Sequence, residues 1–159
     1  MIELPPNAAK VQEEGRRLGL DIEVRLMPTS TRTAEEAASA CGCAVGQIVK
    51  SLVFEGETSA TPYLLLVSGA NRVDQAGVAA ASIGEPLRRP DAAAVRALTG
   101  FAIGGIPPFG HDAHVPVYMD EDLMAHRTVW AAAGTPDTVF AVQPRALADA
   151  VGARIVKVA

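Results

Sequence analysis

Two short stretches of this chain carry residue types that could do chemistry. The first is Gln47-Ile48-Val49-Lys50-Ser51-Leu52-Val53-Phe54, an apolar, β-branched run interrupted by one lysine. In an extended run alternate side chains share a face, so Lys50 lies with Ile48, Leu52 and Phe54. An ammonium buried without a partner is costly, so a lysine kept on such a face reads as a cation for a ligand's negative charge or a reacting group. The plainer reading is an edge-strand lysine that blocks aggregation, with its stem on apolar surface and its amine in water. The second stretch is Gly104-Gly105-Ile106-Pro107-Pro108-Phe109-Gly110. Two glycines permit backbone geometry that other residues resist, and two prolines stiffen the second half of the segment. The amides of such a turn can approach a ligand closely and bind an anionic or carbonyl oxygen. Taken alone, the segment is equally an ordinary connecting turn.

Other groups point less clearly. His111-Asp112-Ala113-His114 offers two metal ligands with no third or fourth at a suggestive spacing, so it reads as a solvated loop and no metal is expected. Asp120-Glu121-Asp122 could supply paired carboxylates, but Asp120 following a strand fits a helix cap. His126 is isolated and reads as an ordinary histidine. Thr29-Ser30-Thr31 can line a pocket or only shape the approach to a helix. There is no Gly-x-Ser-x-Gly elbow, phosphate loop or dinucleotide fingerprint, so no cofactor is expected. An enzyme built from these parts works by positioning and electrostatics, which suits a substrate already activated toward water, such as an ester.

The elements that must position these residues alternate irregularly. Helices are expected over 7–18, capped by Asn7 and stopped by Gly19, and from the Thr33/Glu36 capping box to Gly42. Further helices are expected over 71–82, with Asp74 in the first turn, from Pro90-Asp91 to Leu98, and over 144–151. Strands are expected over 22–27, 47–54, 63–68, 115–119, 128–133, 139–142 and 154–158, the second and third forming a hairpin. A short turn or helix is expected over 120–125. Several strands follow one another through short turns. The fold class is therefore mixed α/β, α+β-like, with a strongly curved sheet wrapped by helices.

Composition narrows the classes. At 159 residues and 49% apolar, the chain is expected to form a single folded domain, 1–159. Aromatics are only 4%, so Ala, Val, Leu and Ile must build the core. The formal net charge of -4 argues against broad, sequence-independent binding to duplex nucleic acid, and no DNA partner is expected, but it leaves room for a small basic mouth gripping one strand end. Met1 to Leu20 has no long apolar run, and no segment approaches a membrane span. Cys41 and Cys43 sit too close for an ordinary disulfide and are too few for a zinc site, a usage that fits a reduced, cytoplasmic compartment.

The order of Thr33-Ala34-Glu35-Glu36-Ala37-Ala38, the Lys50 strand, Thr99-Gly100-Phe101 with Gly104 to Gly110, Asp120, and Ala132-Ala133-Gly134 resembles the YbaK/EbsC family of aminoacyl-tRNA deacylases. That family includes the prolyl-tRNA synthetase insertion domain and its free-standing relatives. The resemblance runs from about Asn7 to the end. It implies a curved mixed sheet resembling a barrel, flanked by helices. It also implies hydrolysis of the ester between a wrong amino acid and the tRNA 3′-terminal adenosine. The family's lysine matches Lys50, its Gly-x-x-x-Pro loop matches Gly104 to Pro108, and its later glycine matches Gly134. Lys50, Gly104, Gly105, Ile106 and Pro108 are thus the expected catalytic set, and Ser30, Ser51, Asp120 and Gly134 the expected substrate contacts. Ser51 follows the lysine where some subgroups carry asparagine or threonine. A small pocket discriminates poorly by one methylene, so Ala, Ser and Cys esters are the candidate substrates, and the resemblance implies tRNA-Pro as their carrier. The expected partners are the 3′ end of a mischarged tRNA and a synthetase. The reading from another class is a non-catalytic module for an aminoacyl end or a nucleotide-like ligand, acting with a synthetase. Clustering of Arg16, Arg17, Arg88, Arg89 and Arg96 around the pocket would favour independent tRNA binding.

Overall fold

The computed structural model describes residues 3–159; Met1 and Ile2 lie outside the described residues. Eight strands form one mixed sheet in the order β1-β7-β6-β2-β3-β5-β8, with β4 also on β2. The strands are β1 (Arg25–Leu26), β2 (Ile48–Gly56), β3 (Pro62–Ser68), β4 (Leu87–Arg88), β5 (Val117–Asp120), β6 (Val129–Ala132), β7 (Thr138–Val142) and β8 (Arg154–Val156). Five helices flank them: α1 (Pro6–Arg17), α2 (Ala34–Cys41), α3 (Gln75–Val78), α4 (Ala92–Thr99) and α5 (Pro144–Val151). The mixed class and the helix-flanked sheet are as the sequence implies. The sheet is not a closed barrel: β1 and β8 end the order without pairing with each other.

β2 and β3 form the antiparallel centre, in register from Val49↔Ser68 to Glu55↔Pro62. Both faces of β3 are covered, so its sequence is a near-continuous apolar run rather than an alternating one. Leu64 and Leu66 enter the large core with Val49, Val53, Met119, Phe140 and Leu147. Leu65 and Val67 turn the other way, to Phe54, Tyr63, Val78 and Tyr118. A third, small cluster joins Ile48 to Ala37 and Ala38 of α2, with Trp130 against it.

Three expectations need correction, the first being the strand over 22–27, which pairs only at Arg25–Leu26. α1 is not capped by Asn7; it starts on Pro5-Pro6, with proline inside the first turn and no side-chain cap. The 71–82 segment becomes helical only at Gln75, because the Asp74 side chain accepts from the Gly77 amide and so ends the loop as a cap. Its second half, Ala79–Ile83, is a π-helical turn. The two-residue β4 is absent from the pattern-based reading, since a pair this short has no periodicity. The Thr33/Glu36 capping box forms as the spacing predicts.

Candidate functional site

β2 pairs in parallel with β6 only through Ile48↔Trp130 and Val49↔Ala131. Beyond Val49 the two strands separate, and a cavity of about 210 Å³ occupies the split. Its walls are residues 48–52 of β2, Trp130 to Ala132 of β6 with Val139, the first turns of α2 through Thr33, Ala34 and Ala37, and the preceding Thr31 and Arg32. Ile103, Gly104 and Ile106 complete the lining. The volume is below the roughly 300–1,000 Å³ of sites for drug-sized ligands, which suits a small group.

Lys50 reaches this cavity from the gap between two apolar clusters. Ile48, two residues before it, belongs to the cluster under α2, while Phe54 belongs to the cluster under α3, with Leu52 against it. Its ammonium is part-buried and donates to the Asn71 backbone oxygen at 2.5 Å. Desolvation pulls its pKa below the ordinary 10.5; Arg72 pulls the same way, and Glu35 and Asp120 oppose both. The edge-strand reading fails, because β2 is an interior strand with β3 on one side and β6 and β4 on the other.

The glycine-proline turn is anchored from behind. The Gly134 amide donates to the Gly105 carbonyl at 2.9 Å. A Cβ on Gly105 would lie 2.8 Å from the Thr135 carbonyl carbon, so only glycine lets the two segments approach this closely. Gly104 has φ +97°, a left-handed geometry that side chains resist. Pro108 is buried, and the Pro107 carbonyl accepts from His111 Nε2 at 2.6 Å. His111 is therefore not a solvated loop residue: it packs edge-on to Phe101, and burial lowers its pKa.

Of the residues selected from sequence, Lys50, Ser51, Gly104 and Ile106 line the cavity together. Gly105, Pro108, Ser30, Asp120 and Gly134 do not line it. Ser30 is exposed, its Oγ accepting from the Arg32 amide at 3.4 Å. Asp120 is 1% exposed and accepts from the amides of Ser68 and Asp122 and from Asn71 Nδ2. Ser51 Oγ is sealed from solvent and has no hydrogen-bond partner, the one such buried side-chain atom among the described residues.

Sequence reasoning missed Arg32, Trp130 and Asn71. Arg32 stands directly before the Thr33 cap, and that position is the only signal it gave. Trp130 carries the Arg25 guanidinium over its ring at 5.3 Å and lines the cavity. The five arginines whose clustering around the pocket would have favoured independent tRNA binding do not line the cavity. Arg17 pairs with Glu14, Arg88 with Glu55, and Arg89 lies over Phe54. No three His, Cys, Asp or Glu side chains among the described residues converge as a metal set. Cys41 and Cys43 are free thiols, and burial raises both pKa values, that of Cys41 to about 11. No helix of the described residues is long and apolar enough to cross a membrane.

An open mixed sheet with a small, cation-bearing cavity at a strand split defines the class of site. The family model of the aminoacyl-tRNA editing domain matches residues 29–150, and the chain belongs to that family. It is 33% identical over 128 residues to the uncharacterized protein YwhH of Bacillus subtilis (strain 168), covering 80% of each chain. It is 49% identical to a solved candidate trans-editing enzyme for prolyl tRNA synthetase, with TM-score 0.90 and 98% of each chain covered. A further solved structure, from epitope backbone grafting onto scaffold proteins, is 47% identical with TM-score 0.91, again over 98% of each chain.

Proposed function

We propose that this protein hydrolyses the ester between a small, wrongly attached amino acid and the 3′ end of a tRNA, acting in trans to a synthetase. The observation that carries the reading is the meeting of Lys50 with the Gly104–Ile106 turn at one small cavity, in a chain of the aminoacyl-tRNA editing family. Water is the nucleophile, oriented by the substrate's own 2′-hydroxyl. Lys50 holds the ribose or terminal phosphate or polarises the ester carbonyl, and an amide of the turn, that of Ile106 or a neighbour, faces the developing oxyanion. The cavity volume favours Ala, Ser and Cys as acyl groups, and the likeness to a candidate trans-editing enzyme for prolyl tRNA synthetase favours tRNA-Pro.

Two further cations suit the nucleotide end. Arg32 lines the cavity, Arg72 adjoins the carbonyl that holds Lys50, and neither forms an ion pair among the described residues. They provide the small basic mouth that an acidic protein needs to hold a single-stranded phosphate backbone. The test is a panel of tRNAs charged with Ala, Ser, Cys and Pro. Hydrolysis of one or more of the small esters above the spontaneous rate, with Pro-tRNA-Pro spared, is the expected result. No turnover of any ester, together with co-purification of a synthetase, would replace this reading with a non-catalytic binding module.

A further inference from the structure

Lys50 needs acceptors that hold its ammonium without neutralising it. The acceptor it has is a backbone carbonyl, that of Asn71, at 2.5 Å. That carbonyl is free because α3 starts only at Gln75; inside a helix it would accept from an amide four residues on. The loop holding it is clamped from the far side. Asn71 Nδ2 donates to Asp120 Oδ2 at 2.9 Å and to Asp122 Oδ2 at 2.7 Å, so both amide protons are used. Asp120 is almost wholly buried and both its oxygens are engaged, Oδ2 also taking the Ser68 amide at 3.0 Å and Oδ1 the Asp122 amide at 2.9 Å. The Asn71 amide itself donates to the Ser68 carbonyl at 2.9 Å.

Resting on the deacylase reading, we propose that Asn71 is a positioning residue: clamped by Asp120 and Asp122, it presents its carbonyl to Lys50 and aims the ammonium at the substrate. The arrangement places a buried carboxylate one peptide group away from the cation instead of in contact with it. A direct ion pair would neutralise Lys50. A carbonyl occupies one of its three donors and leaves two, with the full charge, for the substrate. Asp120 thereby acts on the reaction through Asn71 and touches no part of the cavity.

The chain has three lysines, Lys10, Lys50 and Lys157, so their ammonium groups can be followed individually by nitrogen NMR with Lys50→Arg as the assignment control. The charged groups facing Lys50 are Glu35 on α2, Arg72 in the loop and Asp120 on β5, and each stays unchanged in Asn71→Ala. That variant keeps the carbonyl but removes the side-chain clamp that holds it against the ammonium, so it is expected to move the Lys50 titration to lower pH and to leave Lys10 and Lys157 unmoved. Its deacylation kcat is expected to fall about tenfold to a hundredfold with KM changed less than threefold. Asp122→Ala removes one exposed anchor together with its charge, whereas Asp122→Asn removes the charge and keeps an acceptor; both remain folded even if Asn71→Ala does not, and Asp122→Ala is expected to give a smaller shift in the same direction, in excess of that in Asp122→Asn. A Lys50 titration unmoved in a folded variant overturns the assignment. Because that titration needs no substrate, it stands apart from the tRNA panel: an inactive wild type would sink the deacylase reading and leave the clamp to be judged by NMR.

Discussion

The Gly134 amide and the Gly105 carbonyl, 2.9 Å apart, tie the end of the β6 segment to the turn that borders the cavity. Gly134 has φ +98°, and a Cβ there would lie 3.1 Å from the Asn7 carbonyl oxygen and from Phe101, and 3.2 Å from Val11. Gly134→Ala therefore combines backbone strain with crowding from α1. We expect a loss of about 1–3 kcal/mol in urea unfolding and a disproportionate fall in deacylation, because the tie to the turn is disturbed. Full stability with full activity would show that the tie is dispensable.

Lys50→Ala is expected to lower deacylation by about a hundredfold, and Lys50→Arg to recover only a part, since a planar fork does not replace a compact point charge. In the proposed mechanism the cation is the working form, and desolvation holds its pKa below 10.5. Enzymatic hydrolysis, corrected for the spontaneous reaction, should therefore fail on the alkaline side before an ordinary lysine would lose its proton. A rate that is flat through pH 10.5 would remove Lys50 from the reaction.

Ser51, on the cavity wall, presents a sealed Oγ with no hydrogen-bond partner among the described residues. An unsatisfied buried hydroxyl costs about 1–3 kcal/mol, so Ser51→Ala should be neutral or stabilising by up to about 1 kcal/mol in the free protein. The same change should weaken hydrolysis of Ser and Cys esters more than of Ala esters, measured as ratios of kcat/KM. A clear destabilisation would mean that Oγ has a partner in solution.

Arg32 and Arg72 supply a prediction in salt. If both bind phosphates, Arg32→Ala with Arg72→Ala should flatten the dependence of log KM on log salt by about 0.7 for each phosphate no longer neutralised. An unchanged slope would place the tRNA elsewhere on the surface.

Glu85, which does not line the cavity, is expected to contribute to acid stability. The Ser59 hydroxyl and amide, the Tyr63 hydroxyl and the Thr58 amide donate to its carboxylate, which brings its pKa from 4.5 to about 2. A carboxyl with a depressed folded-state pKa stabilises the fold above the unfolded value, and that stability disappears as pH falls from 4.5 toward 2. Glu85→Gln should flatten the thermal stability profile across that window, read by circular dichroism. A profile as steep as wild type would reassign the acid limb to other carboxylates.

The sequence by itself determined the local devices and the chemistry they offer. The Thr33/Glu36 box, the α5 limits, the β2–β3 hairpin and the face shared by Ile48, Lys50 and Phe54 all follow from short-range spacing, which depends on backbone periodicity and capping alone. Of the nine residues selected for the site from unusual residue types and from the family resemblance, Lys50, Ser51, Gly104 and Ile106 line the cavity and the other five do not. Tertiary structure decided what those residues face. That β2 is interior, that it parts from β6 after Val49, and that Gly134 supports the turn from behind depend on pairings between segments far apart in the chain, as Val49 and Ala131 show. Asn71 illustrates the limit: an Ala-rich stretch predicts a helix through it, but the Asp74 cap and two carboxylates brought from β5 and the turn after it hold it in a loop. Its carbonyl meets Lys50 because long-range hydrogen bonds outweigh local helix propensity.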